Sequence, residues 1–199
     1  MRQGREAVNL FLAGWRMVAR RVIEPPQKWT EARIGRAIVH GDLFHRAVLA
    51  VPCCGWTGHE CDLLVVEKGL RIIDVEVKIS RSDLKADLKK DKWWQNRPWS
   101  RSNAVPGGVR RDWPPRVWKH YYALPVDIWK PELLEFLPAT SGVILLGRQG
   151  ATDVMHLRRR AHPNRDAQKL LPHECIDLAR LAGLRMWDAL RRADQPNLN

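Results

Sequence analysis

The sequence predicts an α/β fold in a single domain, with a mixed central sheet flanked by helices. Three observations predict it. Gly58 to Val66 and Arg71 to Ile79 alternate strictly and are rich in β-branched residues, the pattern of two half-buried strands. Helix start signals stand on both sides of that pair, at Thr30 and at Ser80-Arg81-Ser82-Asp83. Ser141 to Gly147 is a short apolar run of the kind buried inside a sheet.

Taken in order, Val8 to Ile23 reads as an amphipathic helix, the centre of an N-terminal helical segment over 5–24. Val8, Phe11, Leu12, Trp15, Val18, Ala19 and Val22 form its apolar stripe, and Arg16, Arg20 and Arg21 lie toward the other side. Docking on a core is the commoner outcome for such a helix, a membrane surface the rarer one. Pro25-Pro26 ends it. Thr30 opens a second helix toward His40, closed by Gly41, and Arg46 to Pro52 is the first strand, leading through a turn at Gly55 to Gly58 into the hairpin. The capping box at Ser80 starts a third helix that continues to about Trp94. The compact core spans about 30–147, interrupted by an irregular, basic, Trp/Pro-rich loop over 95–117. Val154 to Leu157 adds a further strand. A C-terminal helix over about 172–192 presents Ile176, Ala179, Gly183, Met186 and Leu190 to the sheet. No repeat, heptad, Gly-rich phosphate loop or nucleophile elbow is found.

The hairpin carries the chemistry. With Glu67 paired to Arg71 across a three-residue loop, Leu64 lies opposite Asp74, Asp62 opposite Glu76, and Glu60 opposite Lys78. One face is then Cys61, Leu63, Val65, Ile73, Val75, Val77 and Ile79, which is apolar and must be core. The other gathers Glu60, Asp62, Asp74, Glu76 and Lys78. Opposed residues have Cβ atoms roughly 4.5–5.5 Å apart, close enough for two carboxylates to share one cation. A slip of one residue would bury the charges, so the register is constrained. Asp62 and Glu76 repel each other without a divalent ion, and oxygen-only ligands suit Mg²⁺ or Mn²⁺ rather than zinc. Such an ion polarises a scissile phosphate and acidifies water; Lys78 would orient that water or stabilise developing negative charge. The plain alternative is a solvated strand face with a Glu60–Lys78 ion pair, and the Asp-x13-Glu-x-Lys spacing weighs against it.

Asp62 with Glu76-Val77-Lys78 resembles the bipartite signature of the PD-(D/E)XK, or restriction-endonuclease-like, nucleases. The stretch from Glu76 to Trp93, with its S-x-x-D-x-x-x-D helix and terminal Lys92-Trp93, is similar to the MmcB-like DNA-repair branch and related phage-encoded proteins. His120 to Pro125 and Ser141 to Leu146 resemble the strands that follow in that group. The resemblance covers about 30–147. Cys61, rather than proline, precedes Asp62.

The resemblance implies an αβββαβ core and a metal-dependent deoxyribonuclease. Asp62, Glu76 and Lys78 would be catalytic, and Asp62, Glu76, the Val77 carbonyl and Glu31 would hold Mg²⁺ or Mn²⁺. Glu31 has an equal claim to being a helix-dipole partner beside its N-cap. Glu60, Asp74, Asp83 and Asp87 would support the ligands from outside.

Composition agrees. The 199 residues suffice for one sizeable core, and a net charge of +12 suits a polyanion-binding protein. Arg97, Arg101, Arg110, Arg111 and Arg116 of the irregular loop, with Lys85 and Lys89 of the third helix, are the candidate phosphate contacts. Trp99 and Trp113 would either stack on unpaired bases or pin the loop to the core. No apolar run approaches a membrane span and no signal-peptide core is seen, so the expected compartment is the cytoplasm. Of the four cysteines, Cys53, Cys54 and Cys61 stand near His59, but CC-x4-H-x-C is not a standard zinc spacing. Alternation points Cys61 into the core, away from His59, so the cysteines read as small buried hydrophobes. The expected partner is DNA; RNA is not excluded, no membrane is expected, and a homodimer is left open. Two other readings stand beside the nuclease. One is a non-catalytic nucleic-acid-binding or inhibitory protein on the same scaffold. The other is a phage protein–protein adaptor using the Trp/Pro-rich loop.

Overall fold

In the computed structural model, which describes residues 28–41, 44–95 and 108–194, the hairpin forms as its pattern requires. Strands β2 (Cys61–Glu67) and β3 (Ile72–Val77) pair antiparallel with Leu64 opposite Asp74 and Val65 opposite Ile73. The three-residue loop is closed by the Glu67 N–H donating to the Arg71 carbonyl at 3.2 Å. Leu70 supplies the left-handed residue of that loop, at φ 59°.

Strand β1 (Ala47–Cys54) covers one edge of the hairpin, and the turn leading out of it is closed by the Gly58 N–H on the Gly55 carbonyl at 3.1 Å. On the other side β3 runs parallel to β6 (Lys119–Pro125), β6 parallel to β7 (Gly142–Gln149), and β7 antiparallel to β8 (Thr152–Arg159). The result is a mixed six-stranded sheet ordered β1-β2-β3-β6-β7-β8. Helix α1 (Glu31–Val39) precedes β1, and α2 (Arg81–Asp87) joins β3 to β6, so the chain order αβββαβ is present. Two short strands, β4 (Trp94–Gln95) and β5 (Val109–Arg110), form a separate ribbon at the two ends of the Trp/Pro-rich loop.

Local chemistry explains the helix starts. Thr30 caps α1 by accepting the Arg33 N–H, and Ser80 caps α2 by accepting the Asp83 N–H. Ile34 and Ile38, one turn apart on α1, are fully buried against Leu63, Val65, Ile73, Val75 and Val77. Each contributes about 1.5–3 kcal/mol by leaving water. The opposite sheet face carries two apolar clusters. One joins Val51, Leu64, Val66 and Ile72 to Leu178 of helix α3 (Pro172–Asp194); the other joins Tyr122, Leu124, Val143 and Leu145 to Leu84 and Trp93. Between them runs a buried polar strip.

Gly142 sits opposite Tyr121 in the parallel β6–β7 pair. A Cβ there would collide with the Tyr121 ring and stand 2.8 Å from the Ala161 backbone nitrogen. Gly142→Ala should therefore destabilise by about 1–3 kcal/mol, read as a lower urea midpoint. An unchanged midpoint would mean that the ring moves aside freely.

Several expectations are corrected. Ile79 is 43% exposed, because β3 ends at Val77 and the chain turns into α2. Helix α2 stops at Asp87 rather than near Trp94, and a single 3-10 turn, Asp91–Trp93, follows. In a continuous helix Lys92 and Trp93 would point well away from Asp87; the break returns both side chains to it. On α3, Ile176, Met186 and Leu190 are exposed, and Cys175, Leu178, Leu181 and Ala182 face the sheet instead. Apolar residues stand on both sides of that helix, so periodicity alone did not choose between them. Cys53 is exposed and Cys175 half-buried, against the expectation of uniformly buried thiols. The N-terminal helix over 5–24 lies outside the described residues, as do Arg97, Trp99 and Arg101.

Candidate active site

Asp62, at the start of β2, keeps 29% of its side chain exposed and marks the mouth of the polar strip. Its Oδ2 accepts the Val77 N–H at 2.8 Å, which ties the two hairpin strands together just beyond their last paired residues. The Lys78 ammonium lies 3.6 Å from the same oxygen. The three residues of the sequence signature therefore converge, with Glu76 innermost and Asp62 outermost.

Lys78 does not pair with Glu60, which is exposed beyond the end of β2. Its backbone N–H bonds the Ala123 carbonyl of β6, and its Nζ turns inward to Glu76 Oε2 at 2.7 Å. Lys92 donates to the other Glu76 oxygen at 2.6 Å. Asp87, fully buried, stands behind this group. It meets Lys90 at 3.0 Å, Lys92 at 3.2 Å and Lys78 at 3.5 Å, and accepts from the Tyr122 hydroxyl at 2.8 Å. Asp62, Glu76 and Asp87 thus face Lys78, Lys90 and Lys92 in a balanced, mostly buried network.

Burial and charge divide the two inner carboxyls. Burial pushes Glu76 up to about 7 against the pull of Lys92, with Asp74 and Asp87 adding to the rise and Lys78 opposing it. Burial also disfavours the charge on Asp87, but Lys92, Lys78 and Lys90 outweigh it and hold that carboxyl well below the usual range. Lys78 is raised: burial opposes its charge, and Glu76 and Asp87 more than compensate.

A second polar group adjoins the first on the same strand. Asp74 is fully buried, and its Oδ2 lies 3.0 Å from His59 Nε2 and 3.9 Å from His120 Nε2. The parallel β3–β6 register sets Asp74 directly beside His120. Burial pushes His120 down to about 3, although Asp74 pulls the other way, so the ring is neutral at pH 7. Asp74 is lowered, since the hydrogen bond with His59 and the charge of Lys92 overcome its burial. Cys61 overturns the alternation argument: its Sγ lies 3.6 Å from His59 Nε2. Cys53 takes φ 49°, which breaks the alternation of β1 and brings Val51 and Cys54 into one cluster. Cys61, paired with Cys54, turns with them onto the polar side. His59, Cys61 and Asp74 form a group that could hold a metal ion.

The remaining candidates are dispersed. Glu31 is exposed in the first turn of α1, a helix packed on the opposite sheet face from Glu76, and serves as a helix-dipole partner. Asp83 occupies the first turn of α2. Lys85 is exposed, with its Nζ over the Phe136 ring at 5.4 Å, and Lys89 is exposed. Arg110 is exposed on β5, whereas Arg111 is partly buried and its N–H bonds the Trp93 carbonyl at 2.8 Å. Arg116 is engaged within the protein: it stacks on Trp56 at 3.6 Å and pairs with Glu174 at 2.6 Å. Trp113 donates its indole N–H to the His162 carbonyl, so it pins its segment to the body. A cleft of about 770 Å³ between α1 and β8, lined by Arg36, His40 and His156, contains none of the candidate site residues.

Sequence reasoning missed Lys92, His120, Tyr122 and Ser141 as members of the strip. Alternation along His120-Tyr121-Tyr122 would have placed His120 and Tyr122 on one face. The Lys92-Trp93 pair belongs to the family resemblance, but charge and spacing alone did not distinguish Lys92 from its neighbouring lysines.

No family model matches the chain, and no curated protein matches it. Among solved structures it is similar to a protein of unknown function from Silicibacter pomeroyi, with 21% sequence identity and a TM-score of 0.49 over 86% of this chain and 98% of that one. The function is therefore read from the site's own residues. No helix among the described residues is long and apolar enough to cross a membrane.

Proposed function

We propose that this protein is a metal-dependent nuclease hydrolysing phosphodiester bonds in DNA, on a restriction-endonuclease-like scaffold. The observation that carries the reading is the convergence of Asp62, Glu76 and Lys78 at one partly open point of the sheet. The donor set fits a hard divalent cation, Mg²⁺ or Mn²⁺, because it offers oxygen ligands alone. Lys78 Nζ already places positive charge between Asp62 and Glu76, at 3.6 and 2.7 Å, so the space between these carboxylates accepts a cation. Asp62, Glu76 and the Val77 carbonyl would hold the ion. When bound, it supplies Lewis acidity to a phosphate oxygen and acidifies water. Lys78 keeps Asp87 as a partner at 3.5 Å when it yields Glu76, and its ammonium stabilises negative charge developing on the phosphate. Asp62, the partly exposed carboxylate, faces incoming substrate. The net charge of +12 favours approach of a polyanion. DNA repair, recombination or phage DNA processing is the setting that the resemblance suggests.

One observation favours a second reading, a catalytically silent nucleic-acid-binding protein on this scaffold. Both Glu76 oxygens are bonded by lysines, and the carboxylates are balanced by ammonium groups without any metal.

The test is cleavage of labelled single-stranded, duplex and branched DNA, and of RNA, with Mg²⁺, Mn²⁺ or EDTA, beside Asp62→Ala. The nuclease reading expects metal-dependent cleavage that falls on the order of 10²–10³-fold in the variant. Salt-sensitive binding without cleavage under any metal would select the silent reading. Salt-insensitive capture of a protein partner, with no affinity for nucleic acid, would select an adaptor.

A further inference from the structure

We propose that His59, Cys61 and Asp74 bind a transition-metal ion of the zinc class, at a site separate from Asp62 and Glu76. Three observations on the side chains carry this assignment.

Spacing comes first. Zinc bonds near 2.0–2.1 Å to nitrogen or oxygen and 2.3 Å to sulfur give tetrahedron edges of roughly 3.3–3.6 Å. His59 Nε2 lies 3.0 Å from Asp74 Oδ2 and 3.6 Å from Cys61 Sγ, and the ligand atoms of these three residues lie within 4.8 Å of one another. His120 Nε2 lies 3.9 Å from Asp74 Oδ2 but outside that triad, so the fourth position of a tetrahedron is left to water.

Ring orientation comes second. Metal-binding histidines commonly have their other nitrogen held by a hydrogen bond. His59 meets that condition: its Nδ1 is 3.2 Å from Thr57 Oγ1. The hydroxyl anchors one nitrogen and leaves Nε2 directed toward Asp74.

Unpaired atoms come third. Asp74 Oδ1 and His120 Nε2 are both buried without a hydrogen-bond partner. A plain His59–Asp74 hydrogen bond satisfies Asp74 Oδ2 and leaves Oδ1 of the same carboxylate orphaned. A metal ion bound by the Asp74 carboxylate places a cation beside that orphaned oxygen and takes Cys61 as a thiolate ligand. The donor set of an imidazole, a thiolate and a carboxylate suits zinc rather than the hard cations of the Asp62 site. His59, with 11% of its side chain exposed, gives the route of entry.

The test is titration of chelator-treated full-length protein with Co²⁺, followed by absorption, then displacement with Zn²⁺. The expected result is one equivalent of Co²⁺ with a thiolate-to-cobalt charge-transfer band and tetrahedral visible bands, both removed by zinc. Cys61→Ser should lose the charge-transfer band. His59→Gln, altered at the rim where folding is least at risk, should weaken Co²⁺ binding at least about tenfold. Zinc should raise the melting temperature of the wild type and leave Cys61→Ser unchanged. Asp62→Ala should keep the band, so this site stands or falls separately from the nuclease reading. Absence of the band in folded wild-type protein would overturn the proposal. A band that survives in Cys61→Ser would overturn it too, because another cysteine would then be the ligand.

Discussion

Asp87→Ala is expected to cost about 3–5 kcal/mol of stability, the usual penalty for removing one partner of a buried ionic group. Asp87 is fully buried among three ammonium groups, and its removal leaves Lys92 with Glu76 alone. It also strips the Tyr122 hydroxyl of its acceptor and removes a 3.4 Å partner from the Trp93 indole. The unfolding free energy of a domain is about 5–15 kcal/mol, so this single change consumes a large share of it. Asp87→Asn keeps an acceptor for Tyr122 and should cost less. Pairing Asp87→Ala with Lys92→Met should recover part of the loss, because the second change removes the stranded charge. Urea denaturation of the four proteins reads all of this. A loss below about 1 kcal/mol for Asp87→Ala would show that the lysines find water and that the network is not closed.

Lys78→Met should reduce cleavage on the order of 10²–10³-fold at saturating Mg²⁺ while leaving DNA affinity nearly unchanged. Lys92→Met is the control. Both ammonium groups touch Glu76, at 2.7 and 2.6 Å, and both are buried. Lys78 alone of the two also faces the partly exposed Asp62. A substrate phosphate at the mouth therefore meets Lys78, whereas Lys92 acts from behind through Glu76 and Asp87. Single-turnover cleavage with matched binding curves separates the roles. Equal losses in the two variants would make Lys78 one more structural charge and remove it from the chemistry.

The legibility of this site varies residue by residue. Asp62, Glu76 and Lys78 were readable because a hairpin with a three-residue loop admits one register; that this register buries Glu76 and Lys78 was not readable. The pairing of Leu64 with Asp74 follows that reasoning. Asp74 was readable as facing Glu76's side but not as fully buried, since burial depends on what covers the face. Cys61 was misdirected because alternation assumes unbroken strands, and the left-handed Cys53 interrupts the neighbouring one. The charged run from Asp83 to Lys92 reads by its pattern as one continuous helix, with Asp83 and Asp87 supporting the site and Lys85 and Lys89 toward phosphate. The break after Asp87 sorted it into exposed Lys85 and Lys89 and buried Lys92.

The sequence by itself determined the mixed α/β order, the two capped helix starts and the cross-strand approach of Asp62 and Glu76. Each of these is local, set by side-chain period, capping hydroxyls and a short loop. Only the tertiary structure decided that His120 stands beside Asp74, that Lys92 reaches Glu76, and that Cys61 turns toward His59. Those meetings depend on the parallel pairing of β3 with β6, on the return of the chain after α2, and on a kink in a neighbouring strand. None is encoded by spacing, because the free energy that fixes them comes from burying and pairing groups far apart in the chain.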